Sequence, residues 1–462
     1  MAGARGEPGA RVYYHTLGCK ANQYDTERMR QEGEVRLGPT VDRWDRADVC
    51  VVNTCTVTNR ADAEARAVVR RIRRENPEAR VVVVGCSAAL RAEAYREMDE
   101  VAAVVEGHDP VAVAEAAAGV APAPVQIELR TPLDRIDTEP VGGELLRRRR
   151  GASRGWLKVQ DGCDRRCSFC ATRLARGTSR SRSPGEVVAE ARLLARRHPE
   201  LVVTGIHIGH YGRDLDPPWT LARLVAHLLE RVPEARFRLG SVEATEVDDL
   251  LLDLLETSDG RLAPHLHMPL QSGADPVLRR MRRWHTREQY RRRALQIADR
   301  VAPLGLGADV ITGFPGETGQ DHAATRALVE ELPFTYLHVF PFSPRSGTVA
   351  AQLVREDPVP QRVAGERSRE LRLLAREKGL GYRRARLGEE ARVVVEGEGG
   401  SALTGDYLRV DIREPPPAAA SGILRGTLRG DGAQPYIAWP DEPPLLGGRD
   451  EAPFHASDPT VP

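Results

Sequence analysis

The stretch Cys163-Asp164-Arg165-Arg166-Cys167-Ser168-Phe169-Cys170 sets three cysteines at C-x3-C-x2-C spacing in one short loop. Cysteine thiolate is the soft ligand that iron-sulfur clusters use, and three thiolates this close each take one iron of a 4Fe-4S cluster. The fourth iron then has no protein ligand, and an open coordination position separates a reactive metal centre from a closed structural one. Zinc is the competing reading. A structural zinc wants four ligands, usually as two paired sets, and no partner C-x2-C occurs elsewhere in the chain.

Outward from the loop the sequence alternates strand and helix. Strand-like runs fall at 156–160, 201–206, 237–241, 265–270, 307–313 and 336–340. Between them Ser183-Pro184-Gly185-Glu186 and Thr286-Arg287-Glu288-Gln289 carry capping-box spacing, and Leu221, Leu224, Val225, Leu228, Leu229 and Val232 form one apolar helical stripe. Six such units predict an open (β/α)6 relative of the eightfold barrel, whose chemistry belongs at the carboxyl ends of its strands. The cysteine loop follows the first strand. Other polar words follow later ones: Thr204-Gly205-Ile206-His207, Ser241-Val242-Glu243, Pro269-Leu270-Gln271-Ser272-Gly273 and Thr312-Gly313-Phe314-Pro315-Gly316-Glu317.

Upstream, β-branched runs at 11–17, 48–53 and 80–84, each followed by a helical segment, predict a doubly wound parallel sheet. Cys19, Cys55 and Cys86 each follow one of these runs, and ligands bind such sheets outside the carboxyl ends of the strands. Three converging thiolates imply a second cluster. Buried core cysteines are the alternative, but Gly18 and Gly85 beside them suit tight turns better than strand interiors. Cys50 lies inside the apolar run Val49-Cys50-Val51-Val52 and reads as a small buried hydrophobe, outside the site.

The C-x3-C-x2-C loop, with an aromatic residue before its last cysteine, resembles the radical S-adenosylmethionine (SAM) superfamily. The words around Cys19 (Thr16-Leu17-Gly18-Cys19-Lys20-Ala21-Asn22), Cys55 (Asn53-Thr54-Cys55-Thr56-Val57-Thr58) and Cys86 (Val84-Gly85-Cys86) resemble the amino-terminal domain of its methylthiotransferase branch. That resemblance implies two 4Fe-4S clusters: a SAM-cleaving one on Cys163, Cys167 and Cys170, and an auxiliary one on Cys19, Cys55 and Cys86 that supplies or carries sulfur. It implies SAM contacts from Phe169, Ser241, Glu243, Gln271, Gly313, Gly316 and Glu317. Asn22 and Asn53 become candidates for tuning the auxiliary cluster by hydrogen bonding.

The implied chemistry methylates a cluster-held sulfur with one SAM. Reductive cleavage of a second SAM then yields a deoxyadenosyl radical that activates the target carbon. Substrates differ by branch: tRNA bearing threonylcarbamoyladenosine at position 37, tRNA bearing isopentenyladenosine there, or a ribosomal-protein aspartate. Asn53-Thr54-Cys55-Thr56-Val57-Thr58-Asn59 and Thr204-Gly205-Ile206-His207-Ile208-Gly209 look most like the threonylcarbamoyladenosine branch. Arg173, Arg176 and Arg180 are candidate cations for its carboxylate. In one departure, Ala171-Thr172-Arg173-Leu174 follows Cys170 where relatives commonly carry isoleucine-proline, which leaves the course of this loop open.

A length of 462 residues suggests about three domains, and seven cysteines are too few for a disulfide scaffold. The chain shows neither a run of about twenty apolar residues nor a signal-peptide core, so a cytoplasmic protein with no membrane partner is expected. A net charge of +1 conceals arginine clusters at 147–150, 279–283 and 291–293, which read as solvated helix faces or as contacts to a polyanion. Residues 384–446 hold short β runs at 392–396, 407–412 and 423–428. They resemble a TRAM-like RNA-binding β-barrel through the Gly405-Asp406-Tyr407 turn.

The expected order is therefore 10–121 methylthiotransferase amino-terminal domain, 122–148 linker, 149–381 radical SAM core, 384–446 barrel and 447–462 disordered tail. The partners implied are a tRNA anticodon loop and a flavodoxin-like or ferredoxin-like electron donor, with a monomeric enzyme. A reading of another class is a non-catalytic iron-sulfur or zinc protein that binds RNA.

Overall fold

The computed structural model describes residues 9–120, 145–397, 400–416 and 422–440. Most of the expected linker and all of the expected tail lie outside them. The first unit runs β1 (Val12–Thr16), α1 (Lys20–Arg36), β2 (Val49–Thr54), α2 (Asn59–Glu75), β3 (Arg80–Gly85), α3 (Cys86–Leu90), α4 (Ala92–Arg96), β4 (Ala103–Val104) and α5 (Pro110–Ala117). Its strands are parallel in the order β1-β2-β3-β4.

A three-residue extension outside β1 makes this sheet doubly wound. The Val12 N–H donates to Pro39 O and the Val41 N–H to Val12 O, each at 3.0 Å, in a parallel bridge. From β1 the chain therefore passes through α1 to the outer edge and returns across β1 to β2. The winding reverses between β1 and β2, where open α/β sheets bind ligands. Alternate strand residues serve opposite faces. Val49, Val51, Val82 and Val84 pack with Met29 of α1 and Val113 of α5, while Cys50, Val52, Val81 and Val83 pack with Ala65, Val69 and Ile72 of α2. Burial on both faces explains the unbroken apolar runs.

The second unit comprises β5 (Arg154–Lys158), β6 (Gln160–Asp161), α6 (Thr172–Arg176), β7 (Arg180–Ser181), α7 (Pro184–Ala195), β8 (Glu200–Thr204), α8 (Leu221–Arg231), β9 (Arg236–Leu239), α9 (Asp249–Thr257), β10 (His265–His267), α10 (Asp275–Arg280), α11 (Arg287–Arg300), β11 (Gly305–Thr312), α12 (Gly319–Glu331), β12 (Tyr336–Pro341), α13 (Val349–Glu356) and α14 (Gln361–Ala385). Parallel triplets β5-β8-β9 and β10-β11-β12 are joined by a parallel bridge from Ser241 to His267, which gives the open six-stranded barrel. Both capping boxes form, at Ser183 with Glu186 and at Thr286 with Gln289. The short antiparallel pair β6-β7, not visible in the sequence pattern, frames the cysteine loop.

Helix α1 lies along β5, the open edge of the partial barrel. Its Tyr24 is buried in the core cluster of the second unit, with the hydroxyl donating to Glu190 at 3.0 Å. The third unit, β13 (Glu390–Glu396), β14 (Ser401–Thr404), β15 (Arg409–Ile412), β16 (Leu424–Gly430) and β17 (Pro435–Ala438), closes as a barrel in the order β13-β14-β15-β17-β16. β14 and β17 add to the three strands expected from sequence. This barrel docks on the amino ends of the core strands, away from the cysteines. Arg238 donates to Gly405 O at 2.8 Å and to Thr404 O at 2.9 Å, and Arg236 donates to Arg392 O at 3.0 Å.

Candidate active site

Two sets of thiols stand at the carboxyl ends of the two parallel sheets. In the core, the cysteine loop leaves β6 and ends in α6, which begins two residues after Cys170. The Cys163 N–H donates to Gly177 O, the Ser168 N–H to Met281 O, and the Ala350 N–H to Ser168 O, so three segments of the core fix its course. All three cysteines are partly buried. Arg283 lies 3.7 Å from Cys167 Sγ and His207 Nδ1 lies 3.5 Å from Cys163 Sγ. Burial pushes Cys163 up to about 12 and Cys167 up to about 11, the latter against the pull of Arg283. Such thiols become thiolates when a metal supplies the positive charge, so the donor set fits a cluster better than a free nucleophile.

In the amino-terminal unit Cys19 caps α1, Cys55 follows β2 and Cys86 opens α3. Asn22 ties these three ends together. Its amide donates to Leu17 O and Thr54 O, each at 2.9 Å, and its oxygen lies 3.7 Å from Cys86 Sγ. The glycines are required here. A Cβ on Gly18 would stand 2.7 Å from Cys55 Sγ, and Gly85, at φ +95°, would place one 2.2 Å from Asn53 Oδ1. Asn53 itself donates to Asn22 O and Thr26 Oγ1, so it braces the start of α1. Cys50 lies wholly buried on the α2 face of the sheet, apart from the other three.

A cavity of about 150 Å³ is lined by Val57, Thr58, Phe169, Gln271, Asp309, Ile311, Phe340, Phe342 and Ser343 among others. Phe169 sits one residue from Cys170, and Val57 follows Cys55 by two. Gln271 has φ +67° and donates its N–H to Asp309 O at 2.8 Å. Burial alone would raise the Asp309 carboxyl, but hydrogen bonds from His267 and His338 hold it well below the carboxylate range.

Residues 11–107 match the family described as Uncharacterized protein family UPF0004, and residues 157–329 match the Radical SAM superfamily. The chain is 36% identical to the threonylcarbamoyladenosine tRNA methylthiotransferase MtaB of Bacillus subtilis (strain 168), over 78% of each protein. It is 32% identical to that of Aquifex aeolicus (strain VF5), over 87% of this chain and 96% of that one. The chain belongs to the radical SAM methylthiotransferases. Within that family it is also 30% identical to a tRNA-2-methylthio-N(6)-dimethylallyladenosine synthase of Bacillus mycoides (strain KBAB4), over 84% of this chain and 77% of that one. A solved radical SAM methyltransferase, TsrM from Kitasatospora setae, shares the fold with a TM-score of 0.55 at 18% identity, over 75% of this chain and 78% of that one.

Membership in the radical SAM methylthiotransferases implies a 4Fe-4S cluster and SAM, and the core loop and the neighbouring cavity suit them. The expected SAM contacts divide. Phe169 and Gln271 line the cavity. Glu243 is buried and paired with Arg283 at 2.5 Å, which links it to Cys167, while Ser241 is exposed just beyond β9.

The glycines of the turn after β11 pack closely against α14 and α10. A Cβ on Gly313 would lie 2.3 Å from Ala364 Cβ, and one on Gly316 would meet the Arg280 guanidinium. The Glu317 carboxylate accepts from the Gly313 N–H at 2.6 Å and from Arg367 at 2.7 Å, so both partners hold it inside its own turn. A correction concerns Arg176: it is 1% exposed and spent on internal partners, so it is no free cation for a substrate carboxylate.

Sequence reasoning missed Arg283 and Arg345, and gave His207 no role beyond its place in a strand-end word. Arg283 sits in a run that reads as a surface patch, yet its side chain is 3% exposed. Arg345 donates to Asn59, Thr56 and Asp62 and so fastens the segment after Cys55 to the core. Only a functional reading of Ser343-Pro344-Arg345 would have flagged it.

Proposed function

We propose that this methylthiotransferase acts on tRNA and adds a methylthio group to C-2 of threonylcarbamoyladenosine at position 37. The observation that carries the reading is a cavity lined both by Phe169 of the core cysteine loop and by Val57 and Thr58 beyond Cys55. Its walls thus come from the chain just beyond one thiol set and from the loop that carries the other. The choice of base follows the relatives: those named for threonylcarbamoyladenosine reach 36% identity, and a relative named for dimethylallyladenosine 30%.

In this reading Cys163, Cys167 and Cys170 hold the SAM-cleaving 4Fe-4S cluster, and Cys19, Cys55 and Cys86 hold a second, auxiliary one. When bound, the clusters and SAM supply the one-electron chemistry and the sulfur group that side chains cannot. The chain's own residues position and shield them. Phe169, Gln271 and the backbone at Gly313 and Gly316 border SAM, Ser241 and Glu243 stand at its polar end, and Phe340 and Phe342 offer aromatic faces to an unstacked base. The closed barrel serves as a TRAM-like RNA contact. A flavodoxin-like or ferredoxin-like protein delivers electrons, and the enzyme works as a cytoplasmic monomer. No helix among the described residues is long and apolar enough to cross a membrane.

The test is anaerobic reconstitution, incubation with SAM, reductant and tRNA carrying either modified base, and mass spectrometry of the digested nucleosides. Methylthiolated threonylcarbamoyladenosine is expected. Product on isopentenyladenosine alone would overturn the substrate. Absence of both products and of deoxyadenosine would overturn the enzymatic reading.

A further inference from the structure

Three cysteine-bearing segments, those of Cys19, Cys86 and the core loop, reach one buried guanidinium. Arg176 ends α6, the helix that follows Cys170, and only 1% of its side chain is exposed. Its Nη1 donates to both oxygens of Asp161, at 3.0 Å each, two residues before Cys163. Its Nη2 donates to Asp25 at 2.8 Å and to Asn22 Oδ1 at 2.5 Å, both in the helix that Cys19 caps, and lies 3.0 Å from His108 Nε2. Its remaining nitrogen, Nε, donates to Cys86 Sγ at 3.2 Å. Lys158 completes the group, bridging Asp25 at 2.7 Å and Asp161 at 2.5 Å.

Two cations and two carboxylates balance within this network, so Arg176 is not there merely to neutralise a stray charge. Lysine, a point charge on a flexible stem, cannot reproduce a planar fork directed at four separate acceptors. The side chain spans the seam between the two sheets. Beside the carboxylates and Asn22, the Nε–H goes to sulfur. Hydrogen bonds to ligand sulfurs are among the factors that set the reduction potential of an iron-sulfur cluster, because they stabilise the added negative charge of the reduced state.

We propose that Arg176 is a positioning residue that donates its Nε–H to the Cys86 sulfur of the auxiliary cluster, raises that cluster's reduction potential and fixes it relative to the SAM-cleaving loop. The inference rests on the auxiliary-cluster reading given above. It assigns the tie between the two centres to one side chain, with Asp25 and Asp161 aligning it from either side of the seam.

The test uses the full chain with Cys163→Ala, Cys167→Ala and Cys170→Ala, reconstituted with iron and sulfide so that only the auxiliary site can load. With arginine labelled by nitrogen-15 and the cluster reduced, pulsed electron paramagnetic resonance should show a weak coupling to one guanidinium nitrogen. Arg176→Lys in the same background should abolish it and move the midpoint potential to a more negative value at unchanged iron content. A loaded, reduced cluster without arginine coupling, or one whose coupling and potential survive Arg176→Lys, overturns the proposal. Absence of the coupling with Arg176 intact overturns the proposal by itself, and Arg176→Gln serves for the assignment if Arg176→Lys does not fold. A triple variant that folds but binds no iron removes the auxiliary site, and the proposal falls with it.

Discussion

The two thiol sets reach similar arrangements by different routes. In the core, Cys163, Cys167 and Cys170 belong to one loop, closed by the β6-β7 pair and pinned through Ser168 to segments near 281 and 350. In the amino-terminal unit, Cys19, Cys55 and Cys86 come from three strand ends that meet because the sheet winds in both directions from β1 and β2. A local loop carries its geometry in its spacing. An assembled site depends on the sheet, on glycines that let backbones approach, and on ties to the neighbouring unit. The assembled site should therefore be the easier of the two to break from a distance.

The largest effect is expected at the seam. Arg345 and Asp62, with side chains 3% and 2% exposed, form a buried pair at 2.5 Å between the core and the segment after Cys55. Breaking a buried pair by removing one partner costs about 3–5 kcal/mol. Arg345→Ala should lower the stability of the amino-terminal unit by roughly this amount and weaken iron retention there, as hydrogen exchange and iron content would show. Equal loss at the core loop would erase the contrast.

A smaller effect is expected at the far end of the core, where Glu200 meets Arg236 at 2.6 Å and Arg238 at 2.8 Å, the same arginines that hold the carboxy-terminal barrel. Burial alone would raise this carboxyl, but the two arginines outweigh it and hold it at about 2, below its ordinary 4.5. A depressed carboxylate stabilises the fold above the unfolded value and loses that contribution as pH falls through the folded one. Barrel docking should thus weaken between about pH 4.5 and 2, on the order of a few kcal/mol. Glu200→Gln should flatten this stretch of the pH-stability curve; an unchanged curve would remove the ion cluster from the account of docking.

The smallest effect concerns the barrel surface. Arg409 and Arg425 have side chains 71% and 44% exposed. If they meet RNA phosphates, replacing each with alanine should reduce the slope of log affinity against log salt by about 0.7 for single-stranded RNA. An unchanged slope would return the barrel to a structural role.

Much of this was legible in the sequence, and the exceptions have physical causes. Strand order in the core, both capping boxes and the core cysteine loop follow from local pattern, because period, cap and spacing are properties of neighbouring residues. The extra edge at Pro39 to Val41 was not legible, since three residues with a proline give no strand period. Arg176 differs from its expected place as a cation for a substrate carboxylate for a related reason: Asp25 and Asp161, brought from elsewhere in the chain, claim its guanidinium. Glu317 follows a glycine-rich turn that looks like a ligand loop, yet Arg367 of α14 arrives from 50 residues away to claim its carboxylate.

The central claim is that the core loop cleaves SAM and the assembled site handles sulfur. Quantifying deoxyadenosine and methylthiolated nucleoside in the same reaction, for Cys167→Ala and for Cys55→Ala, tests it directly. Cys167→Ala should yield neither product, whereas Cys55→Ala should still form deoxyadenosine while the methylthiolated nucleoside disappears. Loss of deoxyadenosine in Cys55→Ala together with its retention in Cys167→Ala would contradict the assignment.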